Sequence, residues 1–350
     1  MNWPGLIRGS HVGVDFEGRF IRAAQAVSGR HGAWRPSAAV ILPRAVPGPA
    51  LDRRDAEQLA GALVRQGFRG NRLVVGVPDE TMAVGILDLP PRASGAPLEE
   101  IARTQLASMH GYDPQAAETA CWDLPSSSRP KAQTQAMAVA CRHADAEAIL
   151  SAFEDSGLSV VALDSRLHAI VRACRPHLSA SGITAVLDLE WDQAVLLLVY
   201  KDTAIYRRTM PEAAFKQLSQ ALGQKLGLEG DAIDCLLAEV GLSPRADEDP
   251  SYGAAVVPVL RKYLGGLAAA VKPPFTYVEN QYPGAEVDRL LLVGEGAAVP
   301  GIAGVLQSDL GVSVRPAAPA DAAGCPAALE AKSRDPSLVA AFGLALYSDI

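Results

Sequence analysis

His11–Gln25 reads HVGVDFEGRFIRAAQ, and Ile183–Tyr200 reads ITAVLDLEWDQAVLLLVY. Each stretch holds two strand-like runs, alternating or continuously apolar, around a short polar turn, which is the signature of a β-hairpin. Each hairpin carries one aspartate just before its turn, Asp15 and Asp188. A further strand follows each, Ala38–Leu42 in the first case and Thr203–Arg208 in the second, and then segments with helical spacing. Two α/β lobes follow from this pairing, as a structural duplication without a sequence repeat.

Outward from the first hairpin, Asp52–Gln66 predicts a helix with Leu59, Leu63 and Val64 on one face and Gly67 as its stop. Asn71–Val77 and Ala83–Leu89 have strand length. Pro90–Pro97 is dense in turn formers and predicts a boundary. Behind it lies a compact unit: a helix over Leu98–His110, strands over Thr119–Leu124 and Gln133–Cys141, and a helix capped by Asp145. Leu158–Leu163 reads as a strand.

Beyond the second hairpin come helices with apolar faces on Phe215, Leu218 and Leu222, on Ile233, Leu236, Leu237 and Val240, and along Tyr252–Val271, with a polar loop at Ser243–Pro250. The strand Leu290–Val293 precedes a glycine-rich turn and a helix from Pro300. Arg315–Pro336 reads as a loose surface loop, and Ser337–Tyr347 as a docking helix.

Length and composition limit the function. A chain of 350 residues has room for about two domains. It is 49% hydrophobic and 20% charged, which suits a globular core. Its 32 basic and 39 acidic residues leave a net charge of −7 with no basic stripe, which argues against nucleic-acid binding. The two most apolar windows, Thr184–Tyr200 and Ala254–Val271, are interrupted by Asp188, Glu190 and Asp192 and by Arg261 and Lys262, so no membrane span is expected. Met1–Ser10 lacks an apolar stretch of signal-peptide length, and a cytoplasmic location is expected. Five scattered cysteines form no redox pair or zinc clamp. His143 near Cys141 is read as a strand-end or surface residue.

The order of four segments resembles the actin-like superfamily, and within it the PilM family of type IV pilus assembly proteins. Val12–Gln25 and Ala185–Arg208 look like its two phosphate hairpins. Val139–Ala173 is similar to the segment leading into its second lobe, and Leu290–Gly301 (LLLVGEGAAVPG) to its adenosine loop. The resemblance implies a two-lobed, ribonuclease H-like α/β fold with a small inserted α/β subdomain of the kind shared with the division protein FtsA. The expected division is 1–90 for the first lobe, 91–160 for the insert, 161–208 for the start of the second lobe, 209–288 for a helical subdomain and 289–350 for the completion of the second lobe.

The same resemblance implies ATP with Mg²⁺ as cofactor. Asp15 and Asp188 would orient the metal, Gly18 would give close approach in the first turn, and Gly294 and Gly296 would admit the adenosine. The turns depart from the family pattern. Phe16 and Glu17 follow Asp15, Leu189, Glu190 and Trp191 follow Asp188, and Glu295 separates the two glycines. A carboxylate about 4 Å from a phosphate oxygen costs on the order of 1–4 kcal/mol. These departures predict weak or lost nucleotide binding, with both aspartates alternatively serving as strand-end carboxylates of the fold. Asp79 and Glu80 read as solvated turn residues, and no catalytic residue is nominated.

What remains is a scaffold. The resemblance implies capture of the N-terminal tail of a bitopic inner-membrane protein similar to PilN, in a groove between the first lobe and the insert. The chain would then sit at the cytoplasmic face of the inner membrane through its partner. Val84, Ile86, Ile101 and Leu106 are the expected apolar lining. Two alternatives are an active actin-family ATPase or phosphotransferase and a type II secretion component similar to GspL.

Overall fold

A computed structural model describes residues 9–28, 34–48, 50–127, 134–239, 241–242, 250–322 and 325–348. The chain divides into two compact units. One holds Met1–Pro176 with Pro319–Arg334 and Leu338–Ile350, and the other holds His177–Ala318 with Asp335–Ser337.

In the first unit the hairpin forms as expected. β1 (Gly9–Asp15) and β2 (Phe20–Ser28) pair antiparallel, and β3 (Trp34–Pro43) continues the meander. Helix α1 (Arg53–Arg65) then returns the chain so that β4 (Arg72–Val77) lies parallel to β1. Asp52 starts α1 with a capping box completed by Asp55. Leu59 and Leu63 enter the core, whereas Val64 is 82% exposed, because it lies a further 100° around the helix from Leu63. β8 (Ser159–Ser165) joins parallel to β4, so the order is β3-β2-β1-β4-β8.

The side chains of β1 alternate between two layers. Val12 and Val14 pack with Leu59, Leu73, Val75 and Phe153 on one face. On the other face Gly13 meets α10 (Val339–Ala345), which also crosses α4 (Arg166–Cys174). A Cβ on Gly13 would collide with the backbone of Ala341, Leu344 and Ala345, and one on Gly343 with the backbone of Ala169. Three backbones meet there without intervening side chains. The segment expected to complete the second lobe therefore contributes its last helix to the first unit.

Between β4 and β8 the chain builds a separate antiparallel sheet, ordered β5-β7-β6. Its strands are β5 (Met82–Leu89), β6 (Ala117–Asp123) and β7 (Thr134–Arg142). Helix α2 (Leu98–His110) covers one face. The core there is Leu87, Leu89, Ala102 and Leu106 with Ala117, Ala136, Ala138 and Ala140. This pairing corrects the expected boundary. β5 belongs with the small sheet rather than with the first lobe, because its apolar face fits α2 and the alanines of β7. The turn-rich run after it is the β5–α2 connection. At the far side, β8 and α4 belong with the first unit, not with the second lobe. Helix α3 (His143–Ala152) precedes β8, and Asp145 bonds the Arg142 guanidinium rather than capping the helix.

The second unit repeats the strand order. β9 (Ile183–Leu189), β10 (Ala194–Tyr200) and β11 (Thr203–Met210) form the meander, and β12 (Val287–Val293) and β13 (Ser313–Pro316) add in parallel, giving β11-β10-β9-β12-β13. α5 (Phe215–Leu226), α6 (Gly230–Glu239) and α7 (Pro250–Gln281) lie between β11 and β12 in sequence, and α8 (Ile302–Leu310) between β12 and β13. α7 passes through Pro258, Pro273 and Pro274 and is longer than its apolar spacing predicted. Part of the stretch read as a loose loop is ordered as β13 and α9 (Ala327–Ser333). Val240 and the polar loop at 243–249 lie outside the described residues.

Gly13→Ala and Gly343→Ala should each destabilise the fold by about 3 kcal/mol or more, since neither Cβ has space and both obstacles are backbone. Gly265→Ala, on α7 where a Cβ meets nothing, should stabilise it by up to about 1 kcal/mol. Thermal melts of the three variants check both directions.

Candidate functional site

The first hairpin places Asp15 at the end of β1, fully buried, and turns through Gly18 with its φ of 67°. A buried carboxylate needs a cation, and two guanidinium groups supply it. Arg166, the first residue of α4, donates from Nε to Asp15 Oδ1 at 2.7 Å and from Nη2 to Oδ2 at 3.3 Å. Arg22 Nη1 lies 3.7 Å from Oδ2. Arg166 also reaches Asp79 Oδ2 at 3.2 Å and Glu17 Oε2 at 3.8 Å. The Asp79 amide donates to Glu17 Oε2. Asp79 is thus a buried member of this cluster and not the solvated turn residue that its position after β4 suggested.

The carbonyls of the turn are held as well. Arg22 Nη1 donates to Glu17 O at 3.3 Å. Arg44 Nη1 donates to Phe16 O at 3.0 Å and to Gly18 O at 3.3 Å, while its Nε pairs with buried Asp55. A magnesium ion does not fit Asp15 as placed. Both carboxylate oxygens already face guanidinium groups, and a divalent cation there would stand against like charge.

In the second unit Asp188 is the penultimate residue of β9 and is buried. Gly294 has a φ of 83°, and a Cβ on it would lie 2.5 Å from Asp188 Oδ1 and 2.9 Å from the Leu189 backbone. A Cβ on Gly296 would lie 2.9 Å from the Phe215 ring. Both glycines are required by the closure of the β12–α8 loop on β9 and α5. The turn at 190–193 docks on the start of α5. Phe215 N donates to Glu190 O and Lys216 N to Trp191 O, both at 3.0 Å. Trp191 meets the Phe215 ring edge-on at 6.3 Å between centroids, and Lys216 pairs with Asp192 at 2.9 Å.

The four apolar residues expected to line a groove do not share one wall. Leu106 is fully buried on the face of α2 that packs on the sheet, and Ile101, on the same helix, packs against the same cluster. By strand alternation Val84 and Ile86 project from the opposite face of the sheet, where β7 sets Val139 and Met137 beside them. Leu106 is therefore a core residue: helical spacing identified an apolar face without saying that a sheet covers it. β5 is an edge strand, and His110 Nε2 lies 3.2 Å from the Val84 carbonyl. This carbonyl is on the open side of β5, and the antiparallel alternation puts the backbone groups of Ile86 and Asp88 there too.

The Trp122 ring on β6 meets His168 on α4 edge-on at 4.1 Å, joining the small sheet to the first sheet's covering helix. Neither residue stood out in the sequence. Nor did Arg166, because its partner Asp15 is distant in sequence and only the fold brings the two together.

Elsewhere the chemistry is bland. Burial pushes the Cys141 thiol up to about 11, and His143 lies 3.3 Å from Glu118. Among the described residues no group of histidine, cysteine and acidic side chains is arranged to hold a metal, and no helix is long and apolar enough to cross a membrane.

Burial lowers the His168 pKa from its ordinary 6.5, and the Arg172 charge adds to this against Asp164. The unfolded chain then binds the proton more readily, so this contribution is complete above about pH 6.5 and is lost as pH falls toward the depressed value. Melting temperature should therefore drop between pH 7.5 and 5.5 more steeply in the wild type than in His168→Asn, as read by fluorimetric melts at matched ionic strength.

Comparisons with known proteins agree with this architecture. The family described as Type IV pilus assembly protein PilM matches residues 56–349. No curated protein matches by sequence. The structure of a PilM–PilN type IV pilus biogenesis complex superposes with a TM-score of 0.76 at 20% identity, covering 96% of this chain and 98% of that one. The ethanolamine utilization protein EutJ from Carboxydothermus hydrogenoformans gives a TM-score of 0.57 at 16% identity, covering 99% and 92%. MreB 5 of Spiroplasma citri, bound to AMPPNP, gives 0.51 at 10% identity, covering 96% and 95%. The fold is the actin-like α/β fold, and the chain belongs to the PilM family of type IV pilus assembly proteins.

Proposed function

We propose that this chain is a scaffold of a type IV pilus or related secretion machine, and that it captures the N-terminal tail of a bitopic inner-membrane partner similar to PilN. The observation that carries the reading is the outer half of the small sheet. β5 is an edge strand with Val84 and Ile86 on the face away from α2, and Ile86 is 40% exposed. An extended peptide gains main-chain hydrogen bonds from such an edge and specificity from alternate apolar side chains. The structural match to a PilM that was solved in complex with PilN supports the choice of partner. In this reading the partner supplies the membrane anchor, and the chain lies at the cytoplasmic face of the inner membrane.

The nucleotide site is degenerate in the same reading. Asp15 is neutralised by Arg166 and Arg22, Glu17 fills the first turn with a buried carboxylate, and the second turn is seated on α5. No residue is assigned to hydrolysis.

Ile86→Asp should abolish capture of a synthetic peptide carrying the partner's N-terminal residues while leaving the melting temperature unchanged. Val84→Asp should do the same. Leu106→Asp, in contrast, should lower the melting temperature, because it buries a charge in the core under α2. Isothermal titration with the peptide, run beside melts, separates these outcomes, and undiminished binding by both β5 variants would sink the groove.

A further inference from the structure

The buried cluster at the end of β1 has a feature that a merely worn nucleotide site would not need. Loss of ATP binding requires only that a few turn residues change. Here a long cationic side chain has been brought in from another element and given a fitted seat. The Arg166 stem passes beside Gly76 of β4, where a Cβ would lie 3.2 Å from Arg166 Cγ and 3.1 Å from Leu344 Cδ1. Its guanidinium is forked onto Asp15 and reaches Asp79 and Glu17 in addition. Arg166 and Asp15 are each no more than 1% exposed, and Glu17 and Asp79 no more than 7%. Bidentate guanidinium–carboxylate geometry is directional, which a loosely trapped charge would not be.

We infer that the Arg166 guanidinium is a resident cation that takes the place of a metal ion at the first hairpin, so that the lobe is held in one state without nucleotide. Three segments converge on this first residue of α4: the end of β1, the turn that follows and the segment after β4. In a nucleotide-responsive member of the fold, this convergence would be supplied from outside and withdrawn when the ligand leaves. A guanidinium keeps its charge at any physiological pH and, being part of the chain, cannot leave as a nucleotide does. Capture of a partner by the first unit is then independent of nucleotide. The inference rests on the reading of the nucleotide site as degenerate and goes further by naming the group that occupies it.

The test is a thermal-shift series on the full chain. The wild type should show no shift with millimolar Mg-ATP or with Mg²⁺ alone. Arg166→Ala should lower the midpoint by about 5–10 °C, and Arg166→Lys, which keeps the charge but loses the fork, by less. Asp15→Asn with Arg166→Ala should cost less than the two single changes added together, since the pair is removed as a unit. A wild-type shift that saturates with Mg-ATP would overturn both the inference and the degenerate-site reading. No shift with Mg-ATP together with an unchanged Arg166→Ala midpoint would overturn the inference alone. Should Arg166→Ala yield no folded protein, Arg166→Lys and the wild-type titration still decide between the same outcomes.

Discussion

A carboxylate taken out of water must be met by a cation, and the first unit is organised by that requirement at Asp15. The strand end that carries it, the segment after β4 that carries Asp79 and the helix that begins with Arg166 are brought to one point by buried ion pairs. Arg44 repeats the device one layer away, tying the end of β3 to Asp55 on α1 and to the carbonyls of the first turn. Such pairs contribute little net stability, because desolvation offsets most of the attraction. Their effect is on which arrangement forms. Any packing that separated Arg166 from Asp15 would leave a bare charge in the core, so alternatives are penalised more than the native arrangement is favoured.

The two five-stranded sheets share one strand order but use it differently. The first unit interrupts its parallel half, between β4 and β8, with a three-stranded sheet under α2, whereas the second places its insertion one step earlier, between β11 and β12, where three helices lie among the described residues and the first unit has α1. The hairpin turns have diverged in the same spirit. In the first unit the turn is clamped by arginines through its carbonyls. In the second it is clamped by the amides of α5, whose first turn takes the Glu190 and Trp191 carbonyls. Both turns thus have carbonyl groups held by donors from another element.

Much of this was legible in the sequence wherever the signal is local. Ile183–Leu189 and Ala194–Tyr200 fall on β9 and β10 residue for residue, because apolar runs and a charged turn are read within a short window. Asp52 is a true N-cap for the same reason. What stayed hidden depends on contacts between distant segments. The proline-rich run after β5 looked like a domain boundary, yet β5 pairs across it with β7, and pairing partners leave no mark in composition. Leu106 lay on an apolar helix face as expected, but its spacing is the same whether a peptide or a sheet covers it. Arg166 is one of many arginines until the fold shows that Asp15 stands opposite.

The docking of α10 sets an order on biosynthesis. β1 emerges early from the ribosome, but the helix that covers its Gly13 face follows the whole second unit in sequence. Until those residues have been translated, a sheet with a bare central strand must wait, its Gly13 and Ala24 layer open to water and to other chains. Completion of the first unit before the second is translated is thus unavailable to this protein. The first lobe is finished last, and a nascent chain stalled between the two units carries an exposed apolar groove of the kind that chaperones hold.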